Sequence, residues 1–189
     1  MRVIAGLYRG RSLASAPGLG VRPTSDRLRE TLFNILSPVI EGARFLDLCA
    51  GTGAVGIEAL SRGAGHVTFV EESGIAYAFI IRNLAAVRVE EAATIIKRDV
   101  RSALRSLDLS GEKFDIIFFD PPYSSDLYSP VMNFISKSGL IAQNGVVIVE
   151  HRTNTEPEND YHGLSAFRRK KQGNSKLSFY SREETLSSE

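Results

Sequence analysis

The sequence predicts an α/β fold built on a mainly parallel sheet. Three observations carry this expectation. From Arg44 onward, short apolar runs alternate with segments of helical periodicity. Two of those runs, Ile116-Ile117-Phe118-Phe119 and Val146-Val147-Ile148-Val149, are continuously apolar, as strands covered by helices on both faces are. Near the C-terminus, Gln172-Gly173-Asn174-Ser175 separates two β-like runs within 164–182, so the sheet is expected to end in an antiparallel hairpin.

The elements follow in order. Residues 1–13 alternate weakly (Val3, Ala5, Leu7), pass through Tyr8-Arg9-Gly10-Arg11 and read as a basic β-hairpin or arm. Residues 14–23 hold Pro17, Gly18, Gly20 and Pro23 and read as loop. Thr24 and Ser25 are N-cap candidates, and Asp26 suits the positive end of a helix dipole. Leu28, Leu32, Ile35 and Leu36 then share one helical face, which Pro38 ends. Strands are expected at 44–49, 66–71, 93–97, 114–119 and 144–150. Helices are expected near 54–62, 73–87, 100–107 and 125–137, and the polar segment 152–163, with Pro157, reads as a loop. The 189 residues suit one domain, with 1–40 a short N-terminal basic extension and 41–189 the core.

Composition narrows the function classes. The chain is 43% hydrophobic and 24% charged, ordinary for a soluble globular protein. Its longest stretch without a charged residue is 12 residues, 138–149, against the roughly 20 needed to span a bilayer. The start of the chain lacks the long apolar region of a signal peptide. Cys49 is the single cysteine, so no intrachain disulfide can form. A cytoplasmic enzyme or binding domain is expected. Charge is uneven: residues 1–40 carry six basic and two acidic residues, whereas 41–150 carry ten basic and fourteen acidic. In the tail, Arg168, Arg169, Lys170, Lys171 and Lys176 form a run with no acid among them. Basic segments flanking an acidic body suit a polyanionic partner.

The first expected strand leads into Asp47-Leu48-Cys49-Ala50-Gly51-Thr52-Gly53-Ala54-Val55-Gly56. Glycines at a strand-to-helix turn let the backbone approach a ligand, with helix N–H groups exposed. The pattern G-x-G-x-x-G also fits a tight structural turn. The acids add weight. Asp47, Glu71, Asp99 and Asp120 all fall at the carboxyl ends of expected parallel strands, the edge where open α/β sheets bind ligands. Glu71, 20 residues after Gly51, suits an adenosine ribose. Asp47, beside the glycine turn, would repel the pyrophosphate of a dinucleotide. It would favour S-adenosylmethionine, whose ammonium and sulfonium are cationic.

Asp120-Pro121-Pro122-Tyr123 follows the fourth strand. Two prolines fix the backbone and donate no N–H, leaving carbonyl acceptors beside the Asp120 carboxylate. Two acceptors can hold both protons of a planar exocyclic –NH₂ and aim its lone pair out of the base plane. Tyr123 offers a ring on which a base can stack, worth about 1–3 kcal/mol. The histidines at 66, 151 and 162 lack ligand-like spacing, so no metal is expected.

These motifs resemble those of the class I S-adenosylmethionine-dependent methyltransferases, in the amino-methylating branch. Met1-Arg2-Val3-Ile4-Ala5-Gly6, Tyr8-Arg9-Gly10-Arg11, Arg22-Pro23-Thr24-Ser25-Asp26-Arg27-Leu28-Arg29-Glu30 and Leu32-Phe33-Asn34-Ile35-Leu36 are similar to the bacterial RsmD family. Glu150-His151 and Leu177-Ser178-Phe179-Tyr180 are similar to its C-terminal part. The resemblance implies a Rossmann-like, mostly parallel seven-stranded sheet and methylation of a guanine N2 in 16S rRNA. It implies a cofactor site at Asp47, Ala50, Gly51, Thr52, Gly53, Glu71, Asp99, Val100 and Asp120, and a reacting site at Asp120, Pro121, Pro122 and Tyr123. RNA contacts are expected from Arg2, Arg9, Arg11, Arg22 and Arg27, with pairing to Glu30 or contact with the cofactor carboxylate as the alternative for Arg27 and Arg29. The implied partner is 16S rRNA, free or in a partly assembled small subunit, acted on by a monomer. Three rivals use parts of the same pattern: a DNA adenine-N6 methyltransferase, an NAD-binding oxidoreductase and a non-catalytic RNA-binding protein on the same scaffold.

Overall fold

The computed structural model describes residues 1–15, 25–122 and 126–182. Helix α1 (Asp26–Leu36) is followed by β1 (Arg44–Leu48), α2 (Ala54–Ser61), β2 (His66–Val70), α3 (Gly74–Val87) and β3 (Ala93–Ile96). Then come α4 (Val100–Leu109), β4 (Phe114–Phe119), α5 (Tyr128–Lys137), β5 (Ile141–Arg152), β6 (Asp160–Tyr161), β7 (Leu164–Gln172) and β8 (Ser175–Arg182). One sheet runs in the order β3-β2-β1-β4-β5-β8-β7-β6. The pairings from β3 through β5 are parallel, and those of β5 with β8, β8 with β7 and β7 with β6 are antiparallel.

The expected architecture is therefore present, with two differences. Among the described residues the sheet has eight strands rather than seven, because Asp160–Tyr161 inside the expected loop 152–163 pairs with Leu164 and Ser165. Strand β5 is also longer than expected, since Ile141 pairs with Phe114 at its start and His151–Arg152 pair with Lys176 and Ser175 at its end. A two-residue strand carries no periodicity to read, and it forms only because β7 offers a free edge.

The continuous apolar runs are explained by burial on both faces. In β4, Ile116 and Phe118 pack with Phe45, Val67 and Phe69 under α1, α2 and α3. Ile117 and Phe119 pack on the other face with Leu46, Leu48 and Val70 under α4 and α5. Alternating side chains of one strand thus serve two cores.

In α1, Ser25 accepts from the Leu28 N–H and caps the helix; Thr24, the other cap candidate, lies outside the described residues. The buried face is Leu28, Arg29, Leu32, Phe33 and Leu36, with Ile35 only half-buried. It is rotated from the expected face because the N-terminal segment, absent from a helix-only reading, covers Arg29. That segment is a short hairpin with one bridge, Arg2 to Ser12. It is no free arm. The Ile4 and Ala5 N–H groups donate to buried Glu58 at 2.8 and 3.0 Å, and Leu7 donates to the Ser61 carbonyl at 2.7 Å. Val3 and Leu13 enter the core. No helix among the described residues is long and apolar enough to cross a membrane.

Candidate active site

The parallel strands end in register. Leu48 lies beside both Val70 and Phe119, and Val70 lies beside Ile96. The residues that follow, Cys49, Glu71 and Asp120, therefore emerge side by side on one edge. Backbone bonds continue the ladder there: Ala50 donates to Val70, Glu71 to Ile96 and Asp120 to Leu48.

The turn after β1 shows why it needs glycine. Gly53 is the N-cap of α2 with φ of +77°, a conformation open to residues lacking Cβ. A glycine cap has no side chain to satisfy the exposed helix N–H groups. Asp47 supplies the missing acceptor from β1: its carboxylate accepts from the Gly56 N–H at 2.9 Å. Gly56 in turn admits the Phe69 ring, which a Cβ would meet at 2.2 Å. Asp47 is only 1% exposed, and burial pushes its carboxyl up to about 7, partly offset by the Gly56 bond and reinforced by Glu71.

Glu71 ties the same turn to β2. One oxygen accepts from Gly51 and the other from Ser73, each at 2.8 Å. A carboxylate has about four acceptor sites, so two remain for the adjacent hydroxyls of a ribose. Asp99 stands apart from this cluster: it is exposed and N-caps α4, accepting from Ser102 at 3.0 Å. Bonding to Ser102 lowers its pKa. Val100 beside it is buried. Asp120 is half-buried, Pro121 buried and Pro122 exposed, while Tyr123 lies outside the described residues. The Cys49 thiol is pushed up by burial and then by the carboxylates of Glu71, Asp120 and Asp47. It is therefore a neutral thiol among acids rather than a nucleophile.

The acids thus fit the cofactor expected from the sequence. Asp47, Glu71 and Asp120 surround the turn with acceptors and negative charge, which suits a hydroxylated, cationic ligand and disfavours a pyrophosphate.

Sequence reasoning missed Asn83. It is fully buried on the face of α3 shared with Ile80, Leu84 and Val87. Its amide donates to the carbonyls of Thr52 (2.9 Å) and Ala14 (3.0 Å) and accepts from the Ala14 N–H (2.7 Å). A polar residue on an apolar helical face was the available signal. Arg29 was expected to pair with Glu30 or reach the cofactor. Instead it is fully buried, donating to Asp26 at 2.8 Å, the Arg2 carbonyl at 2.9 Å and the Ala54 carbonyl at 3.3 Å. Neighbouring residues on a helix point apart, whereas Asp26 and Arg29 are three apart and share a side.

Of the five arginines expected to bind RNA, the four within the described residues do not all converge. Arg2, Arg9 and Arg27 line one cleft of about 420 Å³ together with Asp26 and Glu30. Arg11 turns away to donate to the Val87 carbonyl at the C-terminus of α3 (2.9 Å) and stacks over Tyr8. Arg22 lies outside the described residues. His66 bonds Thr94, and His151 bonds Ser178 and the Arg152 carbonyl. No group of His, Cys, Asp and Glu among the described residues is arranged to hold a metal.

Residues 1–181 match the family model described as "Conserved hypothetical protein 95". The chain is 39% identical over 150 residues to Ribosomal RNA small subunit methyltransferase D of Escherichia coli K12, spanning 79% of this chain and 74% of that one. It is similar to the solved structure of Escherichia coli yhhF, with a TM-score of 0.84, 35% identity, and 97% and 98% of the two chains covered. A more distant solved structure, SMU.776 complexed with SAH, shares the fold at a TM-score of 0.69 and 15% identity, over 86% of this chain and 50% of that one. SAH, the ligand of that neighbour, is the demethylated form of the cofactor expected from the acidic strand edge. The chain belongs to the RsmD family of S-adenosylmethionine-dependent rRNA methyltransferases.

Proposed function

We propose that this chain methylates the exocyclic N2 of a guanine in 16S rRNA. The observation that carries the reading is the alignment of Cys49, Glu71 and Asp120 on one strand edge, with Asp120-Pro121 directly beside the glycine turn. S-adenosylmethionine, when bound, supplies an electrophilic methyl group on a sulfonium. Glu71 holds the ribose hydroxyls, and Asp47 and Gly53 keep the turn open. Asp99 and Val100 border the base of the cofactor.

Asp120 and the Pro121 carbonyl orient the two protons of the guanine amino group. That leaves the nitrogen lone pair free to take the methyl group that bound S-adenosylmethionine would supply, with the thioether as leaving group. Positive charge develops on nitrogen, and Asp120 stabilises it and takes the released proton. Holding both protons in this way favours a single methylation. Tyr123 stacks on the guanine, which must leave its own stack at a cost of a few kcal/mol. A loop guanine presented by a partly assembled small subunit lowers that cost, and the enzyme acts on it as a monomer in the cytoplasm. Arg2, Arg9, Arg22 and Arg27 position the RNA through its phosphates.

The test is transfer of radiolabelled methyl to small subunits from a strain lacking the gene, with free 16S rRNA and duplex DNA in parallel. Labelled N2-methylguanosine in a 16S rRNA digest is the expected product. Label in DNA adenine, or no label despite measured cofactor binding, overturns the substrate assignment.

A further inference from the structure

The ribbon formed by β7 and β8 carries charge that the cofactor site does not use. Arg168, Arg169, Lys170 and Lys171 are all exposed. Register fixes their height in the sheet. Arg169 lies beside Ser178, Ser178 beside Val149, and Val149 beside Phe119, the residue before Asp120. Lys170 follows at the level of Leu177 and Glu150. The basic run is therefore level with Asp120, three strand spacings away, roughly 14 Å at about 4.8 Å each.

Register also separates the run into two faces. Arg169 lies opposite Ser178, and Lys171 opposite Lys176. On that side Glu156 pairs with both Arg169 and Lys176. Arg168 lies opposite Phe179 and Lys170 opposite Leu177, whose side chains belong to the core under α1, α2 and the N-terminal hairpin. Arg168 and Lys170 thus share a sheet face with the hairpin, and neither is in a salt bridge among the described residues.

We propose that this ribbon is an RNA-docking surface, in which Arg168 and Lys170 hold phosphates flanking the guanine presented to Asp120. The proposal rests on the rRNA reading above. The body between the two basic segments is net acidic, so a polyanion is held best where the ribbon and the hairpin offer cations on one face. The competing account is that cations on an edge strand merely prevent strand-to-strand association.

The test compares the full-length double variant R168Q/K170Q with K171Q, which removes a cation of the opposite face. Filter binding to small subunits is measured across salt concentrations, alongside methyl-transfer kinetics, cofactor affinity and sedimentation. The double variant is expected to raise KM for subunits at least 10-fold with kcat and cofactor affinity nearly unchanged. Its plot of log affinity against log salt should be shallower by about 1.4, for two contacts to single-stranded RNA. K171Q should behave as wild type. A double variant that binds with the wild-type slope, a K171Q variant with the same defect, or a defect seen only as self-association each overturns the proposal. If the wild-type chain neither binds nor labels small subunits, the substrate reading itself fails and the proposal with it.

Discussion

Asp120 and Asp47 sit on neighbouring strands of one edge and are expected to differ in what their removal does. In the proposed mechanism Asp120 acts on the amino group that accepts the methyl, so Asp120→Asn should lower kcat about 10²–10⁴-fold with a much smaller effect on cofactor affinity. Single-turnover kinetics and calorimetry check this, and an unchanged rate would refute the assignment. Asp47 acts through the turn. Its carboxyl is raised to about 7, so the native state binds more protons than the unfolded chain between the ordinary carboxylate range and neutrality. Its contribution to stability is therefore greatest at low pH and is lost as pH rises through about 7. Asp47→Asn keeps an acceptor for Gly56 and removes the charge. The variant should gain stability relative to wild type as pH rises, read from paired urea titrations at pH 5 and 8. A cationic cofactor favours the ionised carboxylate, so wild-type affinity should rise over the same range and Asp47→Asn should flatten that rise.

At the scale of elements, the glycine turn is held by three of them. Strand β1 supplies Asp47, the end of β2 supplies Glu71, and α3 supplies Asn83. Asn83→Ala would leave the Ala14 N–H and two carbonyls short of a partner, at about 1–3 kcal/mol for each buried group left unsatisfied. It should also weaken cofactor binding through Thr52. Asn83→Asp, which keeps an acceptor for Ala14 but not the donors, should recover only part of the loss. Calorimetric titration beside thermal melting separates the two effects. Gly56→Ala pushes a methyl into the Phe69 ring and should cost about 1–3 kcal/mol by overpacking, measured by urea unfolding.

At the scale of the whole molecule, the N-terminal segment is part of the fold. It fills Glu58, covers Arg29, caps Asn83 and places Val3 and Leu13 in the core. Deleting residues 1–14 should therefore destabilise the chain by at least about 3 kcal/mol, because it strips partners from buried charges. It should also impair cofactor binding, beyond any loss of RNA affinity. A truncated chain that melts and binds cofactor as the full one does would show the segment to be a separable arm.

Much of this was legible in the sequence because it is local. Alternating apolar runs, glycines at a strand end and acids after strands each follow from steric and solvation rules acting over a few residues. That determined the α/β fold, the order of strands and helices along the chain, the glycine turn, and the placing of Asp47, Glu71, Asp99 and Asp120 near the carboxyl ends of parallel strands. Tertiary structure decided the rest. Asp47 caps α2 from a neighbouring strand, Arg29 pairs with Asp26 under the hairpin, Arg11 turns to α3, and β6 forms on a free edge. The Arg11 contact spans 76 positions, Arg29 is covered by Arg2 from 27 positions away, Asp47 reaches Gly56 across the turn, and β6 needs an edge left open by other strands. A buried polar group takes whichever partner the packing brings within reach, and periodicity along the chain carries no record of that choice.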